Sequence, residues 1–244
     1  MVTNLSIGSW ITINSPTVAE IMADTGFDWL CIDLEHSAID YTEAQQMMVA
    51  IQSKGVLAYV RVGKNDPLII KRVLDAGADG IIVPSVNSKS DAERAVSAVK
   101  YSPIGTRGVG LARAQGYGFN FDSYRDVIAP KVKLIVQIEH INAIDELDDI
   151  LSLEGVDGSF IGPYDLSGSL GKPGQYNDED VRAAIDRYEL TAKKYNKWIG
   201  FHVVPPDYKL VEEKQARGYN FIAFSFDAYF MGHAIREQLK NIKK

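Results

Sequence analysis

Gly26-Phe27-Asp28-Trp29-Leu30-Cys31-Ile32-Asp33-Leu34-Glu35-His36 is the stretch on which the reading of the chain turns. A turn glycine leads into a short, nearly all-apolar run, and the run stops on two acids and a histidine. A strand apolar on both faces belongs in a parallel sheet covered by helices. Comparable runs recur at Ser6–Ile11, Trp29–Glu35, Leu57–Val62, Gly80–Val86, Leu134–Glu139, Gly158–Pro163, Trp198–Val203 and Phe221–Phe226. Between them lie stretches of helical periodicity: Thr42–Lys54, Pro67–Ala76, Ser90–Tyr101, Ala143–Leu151, Asp180–Tyr195 and Pro206–Arg217, with Ala228–Lys240 closing the series. Ser15-Pro16 supplies a cap and a first-turn proline, and Gly26, Gly55, Gly77, Gly155 and Gly218 follow helix ends. Eight strand–helix units without a break predict an α/β chain closed into a (β/α)8 TIM barrel, one domain over residues 1–244. An open sheet of similar length is the rival. No Gly-x-Gly-x-x-Gly follows the first strand and no phosphate-cradling Gly-x-x-x-x-Gly-Lys motif occurs, so the nucleotide-binding versions of that rival lose ground.

Composition narrows the function classes. Hydrophobic residues at 46% and charged residues at 24% suit a globular protein with a substantial core. A net charge of −6 leaves no basic surplus for phosphate backbones, so no nucleic-acid partner is expected. The closing Asn241-Ile242-Lys243-Lys244 reads as a helix end rather than a basic patch. The single cysteine, Cys31, lies in an apolar run and reads as a small buried hydrophobe. With no basic segment leading into an apolar one at the start, and no run near the roughly 20 residues that span a bilayer, a cytoplasmic protein without a membrane partner is expected.

In such a barrel the chemistry sits at the C-terminal ends of the strands. The second run ends on Asp33, Glu35 and His36, the third on Arg61, the fifth on Gln137, Glu139 and His140; the sixth runs into Asp165 and the seventh carries His202. Charges gathered at one mouth need pairing or a bound ion. Glu139 and Asp165 are the candidate metal pair, since oxygen ligands suit hard cations such as Mg2+ or Mn2+. Arg61 is placed to clamp a carboxylate, and His36 to act as a base oriented by an acid. A ring of rim salt bridges, with His36 capping the next helix, is the plain structural alternative. His140 and His202 read as structural, His233 as surface or interface. Two glycine-rich stretches break the rhythm, 103–120 and Leu166–Gly174; both are candidate substrate loops.

These residues, in this order, resemble the metal-dependent pyruvate aldolases of the 4-hydroxy-2-oxoheptanedioate and 2-dehydro-3-deoxyglucarate aldolase family, related to citrate lyase β chains. The markers are Asp33-Leu34-Glu35-His36, Val60-Arg61 with Asn65-Asp66-Pro67, Leu74-Asp75-Ala76-Gly77-Ala78, Arg107-Gly108-Val109-Gly110, Val136-Gln137-Ile138-Glu139 and Ile161-Gly162-Pro163-Tyr164-Asp165-Leu166-Ser167. The resemblance implies a barrel of the phosphoenolpyruvate/pyruvate type that cleaves a 4-hydroxy-2-oxo acid to pyruvate and an aldehyde through a metal-stabilised enolate. It implies that Glu139 and Asp165 bind the divalent ion (Mg2+ or Mn2+, or Co2+), and that Gln137 and the amides near Tyr164 and Asp165 hold the pyruvate carboxylate. Arg61 would meet the enolate charge, and His36 with Asp33 would move the proton. Asp75 would support the histidine across a subunit boundary, in a homo-oligomer, commonly a hexamer, with the last helix exchanged between neighbours. Val62 stands where many relatives have proline after the arginine, and Tyr164 where a small residue is common, which leaves substrate identity open. The rivals are a related lyase acting on an acyl-CoA or a dicarboxylic acid, and a non-catalytic barrel that binds a 2-oxo acid.

Overall fold

The computed structural model describes residues 4–242, so Lys243 and Lys244 lie outside the described residues. Eight parallel strands close on one another in sequence order: β1 (Ser6–Ile11), β2 (Trp29–Asp33), β3 (Leu57–Arg61), β4 (Gly80–Val83), β5 (Lys133–Ile138), β6 (Gly158–Ile161), β7 (Trp198–Val203) and β8 (Phe221–Phe226). The helices are α1 (Pro16–Ala23), α2 (Tyr41–Ser53), α3 (Pro67–Ala76), α4 (Lys89–Val99), α5 (Phe121–Ser123), α6 (Ile141–Asp145), α7 (Leu147–Ser152), α8 (Pro163–Ser169), α9 (Glu179–Ala192), α10 (Tyr208–Ala216) and α11 (Asp227–Ile242). The (β/α)8 expectation holds. Several strands stop one to three residues earlier than the apolar runs suggest, because Glu35, Val62 and Glu139 have already turned into loops.

Two packed layers build the molecule. Outside the barrel, strand residues such as Leu30, Val60 and Leu134 pack with helix residues such as Met47, Ile70 and Ile150. Inside, Trp10, Trp29, Cys31, Tyr59, Phe160 and Phe221 form an aromatic plug. Trp29 and Phe221 stack with ring centroids 4.2 Å apart and planes within 6°. Rings this large fit only because small residues face them: a Cβ on Gly80 would lie 2.7 Å from the Tyr59 ring, and one on Gly158 2.7 Å from Cβ of Trp198. Burial pushes the Cys31 thiol well up from its usual range, so it remains an unreactive part of this plug.

Helix starts follow the local chemistry. Asp40 and Glu43 form a reciprocal capping box on α2, Asp66 caps α3 with Pro67 in its first turn, and Ser88 caps α4. The Asp40 cap removes the alternative reading of His36 as the cap of α2. Register then sets the mouth: Asp33 lies directly opposite Arg61 across the β2–β3 pair, and Gln137 opposite Phe160 across β5–β6.

The 103–120 stretch requires a correction. It follows α4, which runs back against the strand direction, and precedes β5; it therefore lies at the N-terminal end of the barrel, away from this chain's own mouth. Its contacts agree. Arg107 donates to Asp75 at 2.6 Å and Arg113 to the carbonyl of Ala76 at 3.0 Å, both at the C-terminal end of α3. The second glycine-rich stretch begins within a helix, since α8 carries Leu166 through Ser169.

Candidate active site

Asp33 is buried at 2% exposure and sits at the end of β2 beside Arg61 on β3. Arg61 donates Nε to Asp33 Oδ1 at 2.9 Å and Nη2 to Asp33 Oδ2 at 2.6 Å. The same carboxylate also accepts from the backbone amides of Glu35 at 3.0 Å and His36 at 3.3 Å. Burial alone would raise the Asp33 carboxyl, but the Arg61 guanidinium outweighs it and holds the group below the usual carboxylate range. Arg61 is likewise kept charged: desolvation opposes the charge and Asp33 and Glu35 restore it. Its guanidinium lies 4.5 Å from the centroid of the Trp10 ring, which fixes its plane across the mouth.

Glu139 follows β5. One carboxylate oxygen accepts from Ser85, from the amide at 2.7 Å and from Oγ at 3.0 Å; the other accepts from Gln137 Nε2 at 2.5 Å. Ser85 has a φ of +53°, a left-handed conformation that costs a non-glycine residue energy. That turn aims both of its donors at Glu139. Gly162, between β6 and α8, leaves room on the other side, since a Cβ there would lie 3.0 Å from Cβ of Glu139. Asp165 sits in the first turn of α8. Glu35, Glu139 and Asp165 line one cavity of about 330 Å³, together with Asn87 and His140. Asp165 and His36 also line the larger cleft of about 1180 Å³ that holds Arg61, Gln137 and Trp10 and runs on between α9 and α10.

The chemistry of this donor set fits a hard cation. Among the described residues neither Glu139 nor Asp165 is ion-paired with a lysine, arginine or histidine. The buried oxygens Glu35 Oε2, Asn87 Oδ1 and Gln137 Oε1 accept no hydrogen bond from the protein. Burial raises the Glu35 carboxyl; Arg61 pulls it back and the nearby Glu139 charge raises it again. Glu139 and Asp165, which line one cavity without an ion-pair partner among the described residues, repel one another unless positive charge enters. No group of three His, Cys, Asp or Glu residues is arranged to grip an ion unaided among the described residues. The two carboxylates would therefore leave the remaining coordination positions to substrate and water.

The other sequence-predicted residues are placed as follows. His36 is largely exposed, with Nε2 3.6 Å from Glu35 Oε2. Tyr164 is exposed at the rim of the larger cleft. His202 is held neutral: burial lowers it to about 4, and its Nε2 lies 3.2 Å from the Ser225 carbonyl. His140 accepts from the amide of Asn142 and caps α6. Asp75 stands apart. It lies at the far end of the barrel, where Arg107 and Gln115 engage it, so within one chain it does not join His36. Sequence reasoning gave no role to Ser85, and it named Glu35 only among the polar residues that end the second run.

A family model described as HpcH/HpaI aldolase/citrate lyase matches residues 6–234. A hydroxypyruvate/pyruvate aldolase of Sagittula stellata is 40% identical over 223 residues, covering 91% of this chain and 87% of that one. A 2-keto-3-deoxy-L-rhamnonate aldolase of Escherichia coli is 35% identical over 241 residues, 98% and 89% of the two chains. The crystal structure of an HpcH/HpaI aldolase/citrate lyase family protein from Burkholderia cenocepacia superposes with a TM-score of 0.93 at 32% identity, covering 99% and 96%. With the closed barrel and its acidic mouth already in place, these likenesses mean that the chain belongs to the HpcH/HpaI aldolase/citrate lyase family and is an aldolase, a carbon–carbon lyase.

Proposed function

We propose that this aldolase reversibly cleaves a 4-hydroxy-2-oxo acid to pyruvate and an aldehyde, with a divalent cation held by Glu139 and Asp165. The observation that carries the reading is the meeting of two cavities at Asp165 and His36, one lined by Glu139 and Asp165 and the other by Arg61 and Gln137. The names of the relatives, a pyruvate aldolase and a 2-keto-3-deoxy sugar acid aldolase, support the substrate class.

The chain's own groups divide the work. Gln137 and the first-turn amides of Tyr164 and Asp165 would orient the substrate carboxylate, and the anchored Arg61 would face the 2-oxo oxygen. In cleavage the C4 hydroxyl gives up its proton, the C3–C4 bond breaks, the aldehyde leaves, and the electron pair passes to the pyruvate enolate. His36 would take that proton, directly or through water, and a proton would then be returned to C3. A preorganised cation such as Arg61, clamped by Asp33 and Trp10, stabilises the enolate charge without reorganising as it develops. A divalent ion (Mg2+, Mn2+ or Co2+), when bound, supplies Lewis-acid stabilisation of the same oxygen. No lysine is needed as a covalent nucleophile.

Replacing Glu139 or Asp165 by alanine should abolish metal-dependent pyruvate release from a panel of 4-hydroxy-2-oxo acids, read by coupling to lactate dehydrogenase. Pyruvate formation that survived both EDTA and these substitutions would overturn the proposal. Assembly belongs to the same reading. Asp75 can reach a histidine only in another subunit, so we place the active form in a homo-oligomer. No described helix is long and apolar enough to cross a membrane.

A further inference from the structure

Two carboxylates stand near His36, and the structure gives them different occupations. Asp33 is committed to Arg61 and to its own turn: Oδ1 accepts from Nε of Arg61 and from the amides of Glu35 and His36, and Oδ2 accepts from Nη2 of Arg61. Such a group fixes Arg61 and the turn that carries His36. Glu35 is the opposite. Its Oε2 is buried and accepts no hydrogen bond, yet it lies 3.3 Å from Nη1 of Arg61 and 3.6 Å from Nε2 of His36. It also lines the cavity of Glu139 and Asp165, while His36 lines both that cavity and the larger cleft.

From this geometry we infer that Glu35, rather than Asp33, is the acidic partner of His36 within its own chain, a positioning residue that ties the proton-transferring imidazole to Arg61. The inference rests on the aldolase reading above and deepens it. When His36 takes the proton from the C4 hydroxyl it becomes an imidazolium, and a carboxylate next to that ring stabilises the charged form and restrains the ring's rotation. The separation of 3.6 Å is too long for a hydrogen bond. Catalytic contacts of this kind are commonly long without ligand and tighten when substrate closes the site. Glu35 is suited to this because a single oxygen, Oε2, faces both partners, Nη1 of Arg61 on one side and Nε2 of His36 on the other. Asp33, committed to Arg61 in a fork, acts on the enolate side.

The test compares Glu35→Gln, Glu35→Asp and Asp33→Asn with the unsubstituted protein in steady-state pyruvate release, with a metal titration for each. For Glu35→Gln, kcat should fall about ten- to a hundredfold, while KM for the 2-oxo acid and the metal midpoint stay within about threefold. Glu35→Asp should recover at least part of the loss. Asp33→Asn should raise KM as well, because it loosens Arg61. A Glu35→Gln protein with kcat within twofold of the parent overturns the inference and leaves the aldolase reading intact. A loss of kcat that saturating Mn2+ restores also overturns it, because Glu35 would then be holding the ion. A parent protein that releases no pyruvate with any divalent metal defeats the aldolase reading, and the role given to Glu35 falls with it.

Discussion

At the level of single residues, the mouth of the barrel shows how burial sorts groups of one type into different roles. His36 is exposed at the rim, whereas His202 is walled in by Trp10, Phe226 and the barrel interior. Its folded pKa of about 4 lies below the ordinary 6.5, because burial disfavours the charged ring. The unfolded chain therefore binds a proton in this window that the folded chain refuses. The stability contributed by neutral His202 is present above about pH 6.5 and is lost as the pH falls toward 4. In His202→Phe, the decline in melting temperature between pH 6.5 and pH 4 should be shallower than in the parent, as followed by circular dichroism. Parallel declines would show that His202 does not titrate in the fold as described. Most of the candidate residues were legible in the sequence because charges that interrupt apolar strands are conspicuous. The division between Asp33 and Glu35 was not, since two acids two residues apart look alike in the sequence and only the side-chain contacts show which one Arg61 grips with two hydrogen bonds.

At the level of elements, a strand end and the loop beside it act together. Glu139 is held by the strained Ser85 turn after β4, by Gln137 on its own strand, and by the space that Gly162 leaves after β6. Gly162 has no need of glycine's backbone freedom, with φ of −105°; it is needed for room. A methyl group there would sit 3.0 Å from Cβ of Glu139 and 3.3 Å from its Oε2, so the carboxylate must shift. Overpacking of this kind costs about 1–3 kcal/mol, and about 1.4 kcal/mol of it falling on the ion would weaken binding about tenfold. Gly162→Ala should keep its far-ultraviolet spectrum while the metal midpoint for pyruvate release rises about tenfold; an unchanged midpoint would mean that Glu139 is not confined from this side. The strand–helix alternation was readable throughout, because apolar runs of about five residues and capped periodic stretches are local signals. The places where the reading slipped had non-local causes. The sixth apolar run extends through Pro163, although that proline opens α8 and the glycines behind it resemble a loop; and the length of the 103–120 stretch carries no sign of which end of the barrel a segment following α4 must occupy.

At the level of the whole molecule, two features of the isolated chain call for a neighbour. Met231, Ile235, Leu239 and Ile242 recur along one side of α11 and are 41–74% exposed. Val109, Leu111, Tyr117 and Phe119 are likewise exposed, in the stretch that packs against Asp75 at the N-terminal end of the barrel. Apolar faces this extensive are uncommon on proteins that work as monomers. Their placement gives the assembly a chemical consequence, because the surface that would meet a second subunit carries Asp75, the candidate residue missing from this chain's own mouth. Assembly and activity should then fail together. Sedimentation should give the parent protein a mass that is a multiple of 27.0 kDa, whereas Ile235→Asp combined with Leu239→Asp should shift it toward 27.0 kDa. Neither residue is buried in the barrel, so the variant should retain the parent's circular dichroism spectrum. Its pyruvate release should fall at least tenfold, and Asp75→Asn in the intact assembly should lower kcat without changing the sedimenting mass. A parent that sediments at 27.0 kDa with full activity would show that the mouth is complete within one chain, and Asp75 would then serve only to anchor Arg107 and Gln115 at the foot of the barrel.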